Sequence, residues 1–558
     1  MPGALRDGLG SPAGSRLTTA LIVMAGVYVF QLCGNTLLNL GTNALSRRVD
    51  RVISERLMKA VLGPPGIAHL EDPSTQDEVA KASGIVGGAT PGHALATLVI
   101  QWGMRLGGVA GFVIVARFNV LVAIALLAWA MFERRWWRKR FDDVTASFFD
   151  TGQIHRRSSW FRDAALLPSP SKEVRAFGLE RWLRERQHES WDEAMVPVWK
   201  GMRGGWQTGF FVVMPTIVNV ATLAFLARQA LDGHIGLESF VVLTQAVQTL
   251  RQVAATGDND QNIANGVAAL PVALEIEERL AAPELQLGGD RSADSLPRQG
   301  ICFEGVRFAY AGRDTDVYRG LDLSIPAGHS LAIVGANGAG KTTLVKLLAR
   351  LYEPTAGRIT VDGVDLREIE PHAWQRRIAA IFQDFQKYDL PARDNVGFGA
   401  PQLAGDEAAL DRAAARAGAG SVIDELEQRW DTPLSRQLTG GTDLSGGQWQ
   451  RLALARAMLA VEGGAGVLVL DEPSANLDVR AEAELYDRFL EVTAGLTTIV
   501  ISHRFSTVRR ADRIVVLEGG KVIEDGTHDE LLAAAGTYAE MFTLQASRYV
   551  DDVEPAGA

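Results

Sequence analysis

Residues 17–40 read LTTALIVMAGVYVFQLCGNTLLNL, twenty-four positions without a charged side chain. A helix of about 20 apolar residues crosses the hydrocarbon core of a bilayer, so this stretch predicts a membrane span. Residues 94–132 are apolar over too great a length for one helix, and Arg117, Phe118 and Asn119 interrupt them. That break predicts a tight turn between two spans. WQTGFFVVMPTIVNVATLAFLA, residues 206–227, predicts a fourth. Residues 235–256 are apolar but carry Gln and Thr, which predicts a fifth span facing a polar cavity or other helices. The pattern changes after residues 283–300, PELQLGGDRSADSLPRQG, whose Gly, Pro, Ser and Asp content is that of a linker. Beyond it, short apolar runs such as SLAIVG and VLVLDE alternate with helical segments, the mark of a largely parallel α/β domain. The expected layout is a helical membrane domain over 1–282, a linker over 283–300, an α/β domain over 301–548 and a tail over 549–558.

Composition agrees with that layout. Apolar residues make up 47% of the chain, unevenly spread, and the net charge of −10 gives no general pull toward nucleic acid. Two cysteines, Cys33 and Cys302, are too few for a disulfide framework or a cysteine-based zinc site, and the nine histidines show no metal-ligand spacing. Basic residues crowd two stretches: Arg47, Arg48, Arg51, Arg56 and Lys59, then Arg134, Arg135, Arg138, Lys139 and Arg140. A solvated face alone would explain such runs, but their alternation with the spans orients both stretches to the cytoplasm. The excursions at 45–92 and 134–204 are expected to be helices that continue the spans into the cytosol. Arg105 and Arg251 fall inside proposed spans, where an unpaired charge is costly, and are expected to face the substrate cavity.

The chemistry sits in the second half. LAIVGANGAGKTT is an apolar strand followed by G-x-x-x-x-G-K-T. Gly335, Asn337, Gly338, Ala339, Gly340, Lys341, Thr342 and Thr343 form a loop whose backbone N–H groups wrap phosphate, with a helix N-terminus aimed at it. Lys341 reaches the terminal phosphates and Thr342 offers its hydroxyl to Mg²⁺. In GVLVLDEPSANLD, 466–478, Asp471 is placed to hold the magnesium through water and Glu472 to act as general base. His503, in ISHR, is placed to hold the γ-phosphate, Glu472 and the attacking water in line. LSGGQ, 444–448, is a second glycine loop opening a helix. One loop already surrounds the phosphates, so the second makes sense if it closes over the nucleotide of another copy.

This combination resembles the ATP-binding cassette (ABC) transporters, specifically exporter half-transporters with a membrane domain fused before the nucleotide domain, and the resemblance covers nearly the whole chain. It implies that Tyr310, in VRFAYAG, stacks on adenine. It implies that Gln383, in IAAIFQDF, touches Mg²⁺ and relays nucleotide state to the membrane domain. Ser445, Gly446, Gly447 and Gln448 resemble the signature that binds ATP in trans, and Asn476, Leu477 and Asp478 the loop between the two sites. LMKAVLGPPGIAHLEDPSTQDEVAKA and LPSPSKEVRAFGLERWLRER resemble the first and second intracellular loops, which in the family end in short coupling helices.

The chain departs from the family in two respects. Exporter halves have six spans where five are recognisable here; either the chain works with five, or a first span lies upstream. Thr439 stands near where a glutamate is common before the signature. Trp449, in SGGQWQ, resembles a subgroup linked to export of ribosomally made peptides, and without a protease domain before the membrane part the chain is not expected to cut leader peptides. The expectation is an ATP- and Mg²⁺-dependent exporter in the prokaryotic cell membrane, a homodimer or a heterodimer with a second half-transporter, moving an unidentified peptide, lipid or drug-like molecule. A nucleotide-gated sensor without transport is the alternative. A soluble cassette acting on nucleic acid is disfavoured by the spans, and no nucleic-acid partner is expected.

Overall fold

The computed structural model describes residues 12–84, 89–150, 152–168, 170–202, 205–254, 257–313, 315–472, 493, 495–502 and 508–551. Two compact units share the chain. One comprises Met1–Leu62 and Asp72–Leu280, the other Gly63–Glu71 and Ala281–Ala558. The second unit therefore takes nine residues, 63–71, from the middle of the predicted first intracellular loop.

In the first unit α1 (Pro12–Leu62) runs unbroken through the first predicted span. The loop that follows carries the four-residue α2 (Ala68–Glu71), which belongs to the second unit. Helix α3 (Pro73–Ala82) restarts on Asp72, whose carboxylate accepts the Ser74 and Thr75 N–H groups, with Pro73 at the first helical position. Helix α4 (Pro91–Phe118) begins in the same way on Thr90. The predicted turn at 117–119 falls at Asn119, which is extended and accepts the Val122 N–H, opening α5 (Val120–Asp150). Helices α6 (Gly152–Leu166), α7 (Ser171–Ala176) and α8 (Glu180–Met202) fill the second predicted excursion. Helix α9 (Trp206–Leu231) is the fourth predicted span.

The fifth expected span differs. Helix α10 (Leu237–Arg251) stops after 15 residues and passes through a 3₁₀ turn, Gln252–Ala254, before α11 (Asp258–Leu280). At 1.5 Å per residue α10 is about 22 Å long, short of the hydrocarbon thickness. Among the described residues three helices are long and apolar enough to cross a membrane: Thr18–Leu62, Pro91–Phe118 and Trp206–Leu231. In α5 the apolar run ends at Glu133 and charged residues follow.

Small residues set the spacing of α4 and α10. A Cβ on Gly111 would stand 2.6 Å from the Ala246 carbonyl oxygen, and one on Gly108 would stand 2.4 Å from Val253 Cγ2. Apolar helices lacking a hydrophobic drive toward each other associate through such close backbone approach. Val115, Ala123, Leu126, Leu226, Leu243, Val247 and Leu250 bury themselves around the contact.

The second unit contains two sheets. An antiparallel sheet of four strands has the order β2 (Tyr318–Pro326), β1 (Gly300–Phe308), β4 (Ala356–Val361), β5 (Val364–Asp365). A sheet of six has the order β10 (Lys521–Gly526), β9 (Arg513–Glu518), β3 (Ser330–Val334), β8 (Thr497–Ile501), β7 (Val467–Asp471), β6 (Ile378–Ile381). All its neighbours run parallel except β9 and β10. Strands β7 and β8 are buried at every position, which explains the apolar runs Val467–Leu470 and Ile499–Ile501 within them. Among the described residues this unit has three apolar cores: Ala332, Val334, Val508, Ile514, Val516, Leu531 and Tyr538 form one, and the other two carry the site. One joins both sheets with α12 (Lys341–Leu348) and Trp374 of α13 (Pro371–Gln375). The other gathers α14 (Ala392–Gly397), α15 (Glu407–Arg416), α16 (Gly420–Asp424) and α17 (Gly446–Glu462) against β6 and β7.

The segment read as a linker is held down rather than free. Arg350, 2% exposed, donates to the carbonyls of Ile369, Leu287 and Gly288 and to Glu353. Asp362 accepts the N–H groups of Arg298, Gln299 and Gly300, and Arg377 donates to the Leu296 carbonyl.

Gly111→Leu is expected to drive α4 from α10 and to destabilise the helical unit on the order of 1–3 kcal/mol or more. Thermal unfolding of the detergent-purified chain, followed by tryptophan fluorescence, measures it. An unchanged midpoint would mean that the two helices do not meet at Gly111.

Candidate functional site

Four parallel strands end side by side. Ile333 of β3, Ile501 of β8 and Asp471 of β7 form one cross-strand row, and Leu470 lies opposite Ile381 of β6. A parallel sheet delivers all its strands to their loops at one edge, the place where such sheets bind ligands. The loop 335–340 leaves β3, Glu472 leaves β7, Ser502 leaves β8, and Gln383 lies exposed two residues beyond β6.

The first loop is shaped by its glycines. A Cβ on Gly335 would stand 2.3 Å from the Leu517 carbonyl oxygen on the neighbouring strand. Gly340 adopts φ 101° against the Tyr318 ring, and the buried Tyr318 hydroxyl donates to its carbonyl at 2.5 Å. Helix α12 begins at Lys341, so the unpaired N–H groups of its first turn face the loop. The Lys341 ammonium crosses the loop and donates to the carbonyls of Gly335 at 2.9 Å and Ala336 at 3.1 Å. Burial lowers the Lys341 pKa below the ordinary lysine value, partly offset by the charges of Glu472 and Asp471. Asn337 and Gly338 are exposed at the tip, Ala339 and Thr343 are buried, and Thr342 hydrogen-bonds Asp471.

Asp471 is 1% exposed. Burial raises its pKa, and the charges of Glu472 and Asp384 raise it further, against the Thr342 hydrogen bond and Lys341. Its Oδ2 has no hydrogen-bond partner among the described residues. Glu472 turns out of the sheet with φ 45°, in the left-handed region, while its N–H donates to the Ile501 carbonyl at 2.9 Å. Such a backbone costs about 1–2 kcal/mol in a residue with a Cβ and points to a position fixed for function.

Tyr310 follows β1. Its hydroxyl lies 3.1 Å from Thr343 Oγ1, and its ring meets Phe308 and Tyr352 edge-on. Ser445 caps α17. Its hydroxyl accepts the Gln448 N–H at 3.3 Å while Gln448 Oε1 accepts the Ser445 N–H at 2.9 Å, a reciprocal capping box. The Gln448 side chain, expected on nucleotide in trans, is here engaged in its own helix. The S-x-x-Q spacing is the sequence signal for that cap. Ser445 is exposed, Gly446 and Gly447 are half-buried, and Trp449 sits in the α17 core.

The two arginines part company. Arg251 lines a cavity of about 560 Å³ in the first unit, with Glu133, Trp129, Trp137, Phe211 and Asn219. Arg105 is not among its lining residues. It pairs with Asp260 of α11 at 3.7 Å, beside a Gln101–Asp260 hydrogen bond, so helix pairing stabilises its charge. His503, Asn476, Leu477 and Asp478 lie outside the described residues.

Residues 318–475 match the ABC transporter family. The chain is 43% identical over 245 residues to an ATP-dependent lipid A-core flippase of Chromohalobacter salexigens, covering 44% of this chain and 41% of the relative. It is 31% identical over 351 residues to the subtilin transport ATP-binding protein SpaT of Bacillus subtilis, covering 62% and 55%. The chain thus spans about half the length of these curated relatives. Its fold matches the structure of a bacterial Atm1-family ABC exporter with ATP bound at TM-score 0.70 and 25% identity, over 96% of this chain and 93% of that one. The cassette at residues 318–475 is thus that of the ABC transporters. A helical domain followed by an α/β cassette is the half-transporter layout of the exporters.

The residues present also fit the magnesium ion that the family implies. A buried carboxylate oxygen without a partner, beside the Thr342 hydroxyl, is a donor set suited to a hard cation. Asp471→Asn keeps the shape and removes the charge. Mg²⁺ is expected to strengthen ATP binding to the parent chain but not to this variant, measured by titration with and without EDTA. Mg²⁺ strengthening both alike would remove Asp471 from the metal site.

Proposed function

We propose that the chain is an ATP-driven exporter working as a dimer by alternating access, its membrane domain within residues 1–282 and its ATPase domain within 301–548. The observation that carries this is the single sheet edge joining a phosphate loop, a buried carboxylate and Glu472, in a chain that also has helices of membrane-spanning length. ATP would enter with its phosphates in the loop 335–343 and its base against Tyr310. Lys341 and the α12 N-terminus neutralise the terminal phosphates. Thr342, Asp471 and Gln383 would hold Mg²⁺, which supplies charge neutralisation between the β- and γ-phosphates. Glu472 accepts the proton of the attacking water, and His503 holds base, water and phosphate in line. Asn476, Leu477 and Asp478 would link the two sites.

The second phosphate cradle, Ser445, Gly446, Gly447 and the first turn of α17, would complete the site of another copy. Its anchoring in a core separate from that of α12 supports a role apart from its own loop. Leu166, Leu167 and Phe177, exposed around α7, support a further contact with a partner half, identical or not. The cavity at Arg251 has aromatic walls and charged or amide side chains, which supports a substrate with both apolar bulk and a polar group. The similarity to lipid A-core and subtilin transporters supports the same breadth. The chain would sit in the cell membrane with its ATPase domain in the cytoplasm.

Glu472→Gln is expected to keep ATP binding and to slow hydrolysis by about a hundredfold or more. Near-normal turnover in that variant would sink Glu472 as the base. For the composite site, a tethered dimer with Lys341→Ala and Ser445→Arg split between chains so that both fall in one site should keep the other site active. Lys341→Ala in both chains should abolish both. ATP hydrolysis by isolated monomers as fast as by dimers would overturn the shared site.

A further inference from the structure

The segment 63–71 is fastened to the ATPase unit beside the base end of the nucleotide site. Ile67 N–H donates to the Leu351 carbonyl at 3.0 Å, and Gln375 Nε2 donates to the Pro65 carbonyl at 2.9 Å. Gly66 lies close against the same stretch, since a Cβ there would stand 3.1 Å from the Leu351 oxygen. At the end of the segment Glu71 accepts from two side chains, Lys346 Nζ at 3.1 Å and the Tyr352 hydroxyl. Both of these side chains pack on Tyr310. The Lys346 ammonium lies 5.4 Å from the Tyr310 ring centroid and 5.5 Å from that of Tyr352. The two tyrosine rings meet edge to face at 5.3 Å. One carboxylate thus holds a cation and a phenol, and those two side chains bear on the aromatic ring beside the phosphate loop.

The electrostatics fit this arrangement. Burial and then the Glu71 carboxylate hold the Tyr352 hydroxyl well above the ordinary phenol value, so it remains a donor. Burial raises Glu71, but its bonds to Tyr352 and Lys346 and the Lys346 charge outweigh that and leave its pKa below the usual value. Lys346 is 23% and Glu71 49% exposed, and a lone surface ion pair there would contribute little. The arrangement matters through geometry: a cation near an aromatic face sets the ring's orientation and its electrostatic field.

We infer that Glu71 is a positioning residue for the nucleotide base. Through Lys346 and Tyr352 it fixes the Tyr310 ring on which the base packs, so that base binding and the docking of segment 63–71 favour each other. The segment leads directly into Asp72, the cap of α3 in the helical unit. Coupling of this kind is reciprocal: if docking of the segment tightens base binding, a bound base steadies the docked segment by the same factor. The inference rests on the assignment of Tyr310 to the base in the proposed function.

The test measures binding of ATP and of inorganic tripolyphosphate, which has no base, to the full chain in detergent. Glu71→Gln is expected to raise the Kd for ATP about three- to tenfold, the scale of one or two broken polar contacts, and to leave tripolyphosphate unaffected. The KM for ATP should rise by more than kcat falls. An unchanged ATP affinity overturns the inference, as does an equal loss for both ligands, which would signal general damage to the phosphate site. Tyr310→Ala separates the two levels. If it weakens ATP binding while Glu71→Gln does not, the base site stands and this inference falls. If it has no effect on ATP, the assignment of Tyr310 is itself wrong.

Discussion

A lysine and a carboxylate are buried together at one edge of a parallel sheet, and much of the ATPase unit follows from that. Isolated burial of either charge would cost several kcal/mol. Lys341 and Asp471 are tolerated because each lies in the field of the other, with Thr342, Glu472 and the loop carbonyls around them. Opposing pKa shifts, down for the lysine and up for the aspartate, mark the remaining desolvation. The position demands that β3, β7 and β8 be held in fixed register, since a one-residue slip would turn Asp471 to the wrong face. It also demands glycine at 335, where the neighbouring strand leaves no room for a Cβ. A polar cluster this exacting is a poor stabiliser but a well-placed site for phosphate.

What was legible in the sequence was local. Three helices of spanning length announced themselves by apolar length, the turn at Asn119 by a polar break, and the phosphate loop by glycine spacing between a strand and a helix. Each depends on residues close together in the chain. What was not legible depended on partners far away. Arg105 reads as a costly intramembrane charge until Asp260, on another helix, is beside it. Residues 283–300 have a linker's composition, yet Arg350, Asp362 and Arg377 tie them to the cassette. Nothing in the run Gly63–Glu71 says that it packs with residues some 280 positions further on. At Gln448 the S-x-x-Q motif also carries a helix cap, legible at short range, which pairs its side chain with the Ser445 N–H.

Two of the apolar cores of the ATPase unit divide the site's labour. The phosphate loop and Tyr310 pack into the core formed with both sheets, while the signature helix α17 belongs to the core of α14–α16. Strands β6 and β7 contribute to both, and Gln383 and Glu472 emerge just past their ends. A residue at such a seam responds to motion of either part. That gives a physical reason for a glutamine and a strained glutamate to stand there instead of deeper in one core, where packing would hold them still.

The nucleotide site thus has one rigid end and one adjustable end. At the phosphate end the contacts are backbone groups and buried charges fixed by sheet register, and changing them means disturbing the core. At the proposed base end the platform would be a stack of side chains, Tyr310, Tyr352 and Lys346, fastened by a half-exposed carboxylate. Backbone phosphate cradles bind any nucleoside triphosphate, so they carry affinity without discrimination. The base end contributes less but is made of parts that shift at little cost. In the proposed exporter, converting nucleotide occupancy into helix movement would take an element soft enough to move and close enough to sense the ligand. Segment 63–71 meets both conditions. Of its nine residues only Pro64, Pro65 and His69 are buried, and it continues at Asp72 into a helix of the first unit.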